Sequence, residues 1–197
     1  MTRKSFGAAF IFFFSVLWVY PQTFSIRAGG GIMFPQQASF RHVYGNAYPL
    51  VIEAGVRLTR KFGISSGVNW ISNNGRAWPL DQGQDEFPVH FKMISVPVSV
   101  FYEFPGRLGG VPLGVTLGLG ISWHSYKETW ETFELSYQDN KLGPLVYAAV
   151  DFHLFSRVGF FTSVRWESVP TGQESLLGGK INLGGIQLLA GVAFYFR

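Results

Sequence analysis

The sequence predicts an all-β fold: an eight-stranded antiparallel up-and-down transmembrane β-barrel. Three observations carry that prediction. Eight segments alternate with a period of two, one parity almost wholly apolar and the other mixing glycine, serine and charge. The connections between them are alternately short and long. Three tryptophans, Trp70, Trp123 and Trp166, all fall at the long-loop ends of their strands.

In chain order, the first segment, 24–34, sets Phe24, Ile26, Ala28, Ile32 and Phe34 on one face with Gly29 and Gly31 opposite. The second, 50–59, sets Leu50, Ile52, Ala54, Val56 and Leu58 outward and Glu53, Gly55 and Arg57 inward. In the third, 62–72, Phe62, Ile64, Val68 and Trp70 oppose Gly63, Ser65, Gly67 and Asn69. The fourth, 89–104, opposes Ile94, Val96, Val98, Val100, Tyr102 and Phe104 to Ser95, Ser99 and Glu103. The fifth, 113–125, opposes Leu113, Val115, Leu117, Leu119, Ile121 and Trp123 to Gly114, Thr116, Gly118, Gly120, Ser122 and His124. The sixth, 145–155, has Val146, Ala148, Val150, Phe152 and Leu154 against Tyr147, Asp151 and His153. The seventh, 158–169, has Phe160, Thr162, Val164 and Trp166 against Ser163, Arg165 and Glu167. The eighth, 186–197, has Ile186, Leu188, Ala190, Val192, Phe194 and Phe196 against Gln187, Gly191, Ala193 and Arg197. These lengths approach the roughly 9–11 residues that a tilted strand needs to cross a bilayer. A soluble barrel reverses the parity, with a greasy interior and a charged exterior, so the apolar face is read as outward.

The connections after strands two, four and six are Arg60-Lys61, the stretch 105–112 and Ser156-Arg157. Those after strands one, three, five and seven, 35–49, 73–88, 126–144 and 170–185, are longer and polar, and no segment reads as an amphipathic helix of useful length. Short periplasmic turns and longer extracellular loops are the pattern of outer-membrane barrels. Trp70, Trp123 and Trp166 then form one interfacial aromatic girdle, and Tyr102, Phe104, Phe194 and Phe196, with Phe62 and Phe160, supply the other.

Composition agrees. Only 14% of the 197 residues are charged, against 47% hydrophobic and 17% aromatic, which suits a chain whose outer face meets lipid. Cysteine is absent, excluding disulfides and thiolate metal sites. The net charge of +4 is spread along the chain, so no nucleic-acid partner is expected. Thr2-Arg3-Lys4 followed by an apolar run over 6–19 reads as an exported leader. The domains are therefore a signal peptide over 1–22, its cleavage point open, and a barrel over 23–197.

The finish Phe194-Tyr195-Phe196-Arg197 resembles the terminal strand of bacterial outer-membrane β-barrels, where it closes the barrel and is read by the insertion machinery. Ile94-Ser95-Val96-Pro97-Val98, followed by Phe101-Tyr102-Glu103-Phe104, resembles the fourth strand of PorT-like and OmpX-like barrels. The opening Arg27-Ala28-Gly29-Gly30-Gly31 and the closing Gly191-Val192-Ala193-Phe194-Tyr195-Phe196 are similar in kind. The resemblance spans the mature chain as a pattern. It implies the fold, the outer membrane, and lipid and barrel-insertion machinery as partners, but no reaction. Pro97 departs from ordinary strand rules, and its missing N–H predicts a bulge or kink.

Eight strands leave a lumen just wide enough for side chains. Glu53, Arg57, Glu103, Asp151, His153, Arg165, Glu167 and Arg197 are expected to line it, and buried charges must pair. Depth matches Glu53 to Arg165, Arg57 to Asp151 or Glu103, and Arg197 to Glu103 at the periplasmic rim. A plugged lumen is expected over a narrow gated channel. A lipid A-modifying enzyme needs a nucleophile, and Ser122 beside His124, oriented by Glu128 or Glu131, is the one arrangement in sight. Parity turns that pair away from lipid, so no enzymatic role is expected. His42, His90, His124 and His153 lack ligand spacing, and neither metal nor cofactor is expected. His90 and Lys92 share the outward parity near the loop end, where they snorkel to headgroups. The loops carry Arg76, Trp78, Asp81, Asp85 and Glu86, then Trp130, Phe133 and Tyr137, a surface suited to an extracellular ligand or protein. The expected role is structural or surface-binding, with a soluble lipocalin-like carrier as the competing fold.

Overall fold

A computed structural model describes residues 24–77, 87–170 and 182–196. The leader, Arg197, and Trp78, Asp81, Asp85 and Glu86 lie outside the described residues. The strands are β1 (Phe24–Pro35), β2 (Leu50–Arg57), β3 (Phe62–Ala77), β4 (Phe87–Leu108), β5 (Val111–Trp130), β6 (Leu135–His153), β7 (Val158–Glu167) and β8 (Gly185–Phe196). They follow one another around a closed barrel. Antiparallel pairing of β8 with β1, from Phe24 opposite Phe196 to Pro35 opposite Gly185, completes the ring. Closure satisfies the edge that an open sheet would leave, a requirement in lipid.

The wall alternates as the sequence predicts. Leu117, Leu119 and Ile121 on β5 expose half or more of their surface, whereas Thr116, Ser122 and His124 between them are buried. The same holds for Val98 and Val100 against Ser95 and Ser99 on β4. Two inward glycines are required by what fills the lumen. A Cβ on Gly118 would lie 2.2 Å from the Tyr147 ring, and one on Gly63 would lie 2.2 Å from Phe101.

Four corrections to the sequence reading concern the strands and their connections. The third to sixth strands are longer than their alternation suggests. Residues 105–108 and 111–112 continue β4 and β5, so the turn contracts to Gly109-Gly110, both at positive φ where glycine carries no steric penalty. The stretch 126–144 is not a polar loop but the top of a hairpin, closed by one 3-10 turn over Glu131–Phe133. The connection after β1 contains a seven-residue helix, α1 (Ala38–Tyr44), too short to register as a 3.6-residue period. Pro97 makes no bulge. Ser66 faces Val98 and Asn69 faces Ser95 in one unchanged register, but the β3–β4 ladder is interrupted between them, opposite Val96 and Pro97. The local disturbance is a gap in pairing without an extra residue; the Ser66 hydroxyl donates to the Pro97 carbonyl at 2.9 Å.

The long strands change character along their length. Below the row Trp70, Ile94 and Ser125, which face one another across β3, β4 and β5, the outward side chains are apolar. The inward ones mix charged and polar groups with two buried clusters, one around Phe161, Leu189 and Tyr195 and one around Phe101, Leu145 and Tyr147. Above it the parity continues but the chemistry reverses. Ile71, Val89, Phe91, Met93 and Tyr126 are buried inside, while Ser72, Asn74, Lys92 and Lys127 are exposed outside. The outer face of the wall thus changes from apolar to polar partway up the same sheet.

Candidate functional site

The interior is built in three levels. At the short-turn end, Arg57 donates through Nε and Nη2 to the two carboxylate oxygens of Glu103, at 2.8 and 2.6 Å. Arg27 does the same to Asp151, at 3.0 and 2.5 Å, and the Tyr195 hydroxyl adds a third bond to Asp151 at 3.0 Å. Paired forks of this kind hold planar charge with geometric specificity. Arg165 bonds Glu53 across the barrel. His153 lies on the Tyr195 ring, centroids 4.3 Å apart. Between these groups a cavity of about 10 Å³ remains, lined by Ser25, Arg27, Glu53, Arg57, Glu103 and Tyr195 among others. That is room for about one water.

Alternation alone marks Glu53, Arg57, Glu103, Asp151, His153, Arg165 and Glu167 for the lumen. It pairs Arg57 with either acid; the structure gives it Glu103. Asp151 goes to Arg27, a residue read from sequence only as the start of a glycine run. Its parity, opposite to Ile26 and Ala28, was the available signal. The rim pairing of Arg197 lies outside the described residues.

The middle level is a belt of side-chain hydrogen bonds that ends on Glu167, whose other carboxylate oxygen lies 3.8 Å from Arg165. Asn69 donates to Gln187 at 3.1 Å and Gln187 to Glu167 at 3.3 Å, carrying the polar chain from β3 across the lumen to β7. Ser65 and Ser99 share a 2.7 Å bond. His124 is fully buried, and its Nδ1 lies 2.8 Å from the Ser95 hydroxyl on β4, not beside Ser122. Its sequence-suggested orienters are elsewhere: Glu128 accepts from Tyr44, and Glu131 faces His90 at 3.1 Å on the outer surface. A nucleophile–base pair at Ser122 is therefore not assembled.

The top level is apolar. The helix α1 drops Phe40 and Tyr44 into the mouth, where both are buried against Phe91, Met93, Ile71 and Met33. Phe40 meets Phe91 edge-on at 4.8 Å, a favoured aromatic geometry. Asn73 ties the end of α1 to β3, donating to the carbonyls of Tyr44 and Asn46 at 3.1 and 3.0 Å. The Tyr44 hydroxyl donates to Glu128 at 2.6 Å. This level lies above the apolar outward band of β5, which ends at Ser125. Burial pushes the Glu128 carboxyl above its ordinary range, against the lowering effect of the Tyr44 bond. Burial, then the carboxylate beside it, pushes the Tyr44 phenol up as well.

Outside, Trp70, Trp123 and Trp166 are half-exposed near the top of the apolar band. Phe104, Phe194 and Phe196 are half-exposed at the opposite end, and Tyr102 packs edge-on to Phe62 at 4.8 Å. At the far tip of the extension Phe87, Trp130 and Phe133 cluster, with the Phe87 and Phe133 ring centroids 4.8 Å apart, and Phe133 and Leu135 remain half-exposed.

No family model matches the chain, and no curated protein does. Solved structures do. Neisserial surface protein A superposes with a TM-score of 0.59 at 16% identity, covering 89% of this chain and 97% of that one. The N-terminal β-barrel domain of Pseudomonas aeruginosa OprF gives 0.54 at 13% identity, covering 89% and 97%. A major outer membrane protein from Thermus thermophilus gives 0.56 at 16%, covering 90% and 100%. At such identities the likeness is one of fold: this is a small eight-stranded barrel of the outer-membrane type.

Proposed function

We propose that this protein is an outer-membrane barrel with a plugged lumen that acts through its extracellular surface, as a binding or structural element and not as a pore or an enzyme. The observation that carries the reading is the closed interior. Arg27–Asp151, Arg57–Glu103 and Arg165–Glu53 occupy the lower lumen, and α1 fills the mouth with Phe40 and Tyr44. What remains for interaction is the outside. An extension of β3 to β6 holds the exposed Phe133, backed by the partly buried Phe87 and Trp130, away from the membrane, and a pre-positioned aromatic side chain binds at low entropic cost.

The leader over 1–22 and delivery to the barrel-insertion machinery belong to this proposal, as does the PorT-like or OmpX-like affiliation. So do the two aromatic girdles, with Trp70, Trp123 and Trp166 on the extracellular side. The lipid A-modifying alternative is opposed by the engagement of His124 with Ser95, both fully buried within the wall.

Purified protein in planar bilayers tests the plug. The expected trace has no sustained unitary current, and removal of residues 38–44 leaves it unchanged because the lower ion pairs still block the lumen. Stable conductance steps from the unaltered protein would contradict the reading.

A further inference from the structure

We propose that Lys92 and Lys127 form a two-point clamp for the phosphate of an anionic lipid in the extracellular leaflet. The two lysines face each other directly across β4 and β5. Both are exposed on the outer wall. Directly opposed residues of antiparallel strands hold their Cβ atoms about 4.5–5.5 Å apart, and like charges in that position repel. The neighbours in the row do not relieve this. Ser72 faces Lys92 from β3 and Gln138 faces Lys127 from β6, both neutral hydrogen-bond donors. Among the described residues no carboxylate is paired with either lysine: Glu131 is held by His90, Asp139 by Lys141, and Glu128 is buried inside with Tyr44. An anion shared by the two ammonium groups converts the repulsion into two attractions, and the Ser72 hydroxyl and Gln138 amide extend the row of donors.

Position selects the ligand class. This is the first polar row above Trp70, Ile94 and Ser125, where the outer wall changes from apolar to polar. Below it lie the exposed side chains of Ile94, Trp123 and Leu142. A ligand that fits has a phosphate at the top and hydrocarbon running down the wall, which is a lipid and not a soluble anion. Among the described residues the other side of the barrel offers no equivalent. At the tops of β1, β2, β7 and β8 the outward residues are Phe34, Tyr48, Leu50, Trp166 and Ile186. A single lysine at an interface reaches headgroups generically; two opposed lysines with no counter-charge among the described residues make a defined site.

The test uses the full chain in phosphatidylcholine nanodiscs with and without phosphatidic acid, followed by thermal unfolding and by native mass spectrometry of retained lipid. Phosphatidic acid is expected to raise the unfolding midpoint by several degrees and to be retained at one molecule per barrel. The Lys92→Gln/Lys127→Gln protein should lose both effects while keeping the midpoint-independent gel shift of a folded barrel; Lys92→Arg/Lys127→Arg should keep both. An undiminished response in the glutamine variant overturns the proposal. Inorganic phosphate added to phosphatidylcholine nanodiscs is expected to do nothing; if it reproduces the shift, the site is a solvent anion site and the lipid assignment fails.

Discussion

Along β5 the outward residues Leu117, Leu119, Ile121 and Trp123 are apolar and the inward Thr116, Gly118, Gly120, Ser122 and His124 are small or polar. Four residues further on, outward Lys127 and Thr129 are polar and inward Tyr126 is buried in an aromatic cluster. One strand with one parity serves two solvents. In the lower region lipid makes the outside greasy and the narrow lumen must neutralise its own charges. In the upper region water makes the outside polar, and the inside is held by the burial that stabilises soluble domains, about 25 cal/mol per Å² of apolar surface. The difference shows that the sheet is a scaffold whose faces are assigned by depth.

Substitutions can break each half separately. The largest effect belongs to the lower charges. Asp151→Ala leaves the Arg27 guanidinium buried without its partner, and a cost of about 3–5 kcal/mol is expected from urea unfolding in lipid vesicles. Replacing both residues by apolar ones of similar volume should restore much of that. In the upper half, Phe91→Ala removes the ring that Phe40, Tyr44 and Tyr126 surround, at about 3 kcal/mol. Its signature should be local: amide exchange of α1 accelerates while amides of β1 and β8 stay protected.

Depth itself is tested by one change made twice. Leu119→Lys, near mid-wall on the lipid face, should cost about 2–4 kcal/mol, whereas Thr129→Lys, outward on the same strand, should cost nearly nothing. Equal costs would mean that the extension is also in lipid.

The smallest effect is pH-dependent. The folded-state pKa of Glu128 is raised, so its contribution is fully present below the unfolded value and is lost as pH rises through the folded one. The groups that face this carboxyl are the Tyr44 hydroxyl and the Trp130 side chain, and neither is cationic. The mouth should therefore hold α1 more tightly in acid than at alkaline pH. Glu128→Gln should flatten that dependence, and Tyr44→Phe should loosen α1 by about 1–2 kcal/mol, both read from exchange of the α1 amides.

Much of this was legible in the sequence, and the reason is physical. Inside a bilayer one face must be apolar without exception, so eight alternating runs with β8 closing on β1 stand out. Above the bilayer the rule inverts and weakens. Ile71 and Ala77 are separated by Asn73-Asn74-Gly75-Arg76, turn-forming residues that hide the end of β3. The stretch from Tyr126 to Gly143 mixes both faces because each meets a different environment from the wall below. Arg27 was obscured by the glycines that follow it, although its parity points to Asp151. The partner of His124 could not be read, because Ser95 is brought to it by the β4–β5 register and not by proximity in the chain.

The central claim, that the outer wall passes from lipid to water at the row of Trp70, Ile94 and Ser125, is tested most directly by nitroxide labels on β5. Labels placed singly at Leu117, Leu119, Ile121, Trp123, Ser125, Lys127 and Thr129 are compared for relaxation by oxygen, which concentrates in lipid, and by a water-soluble nickel chelate. Oxygen should dominate through position 123 and the chelate from position 127, with the crossing at 125. A crossing displaced to 119 or below, or no crossing along the strand, would contradict it.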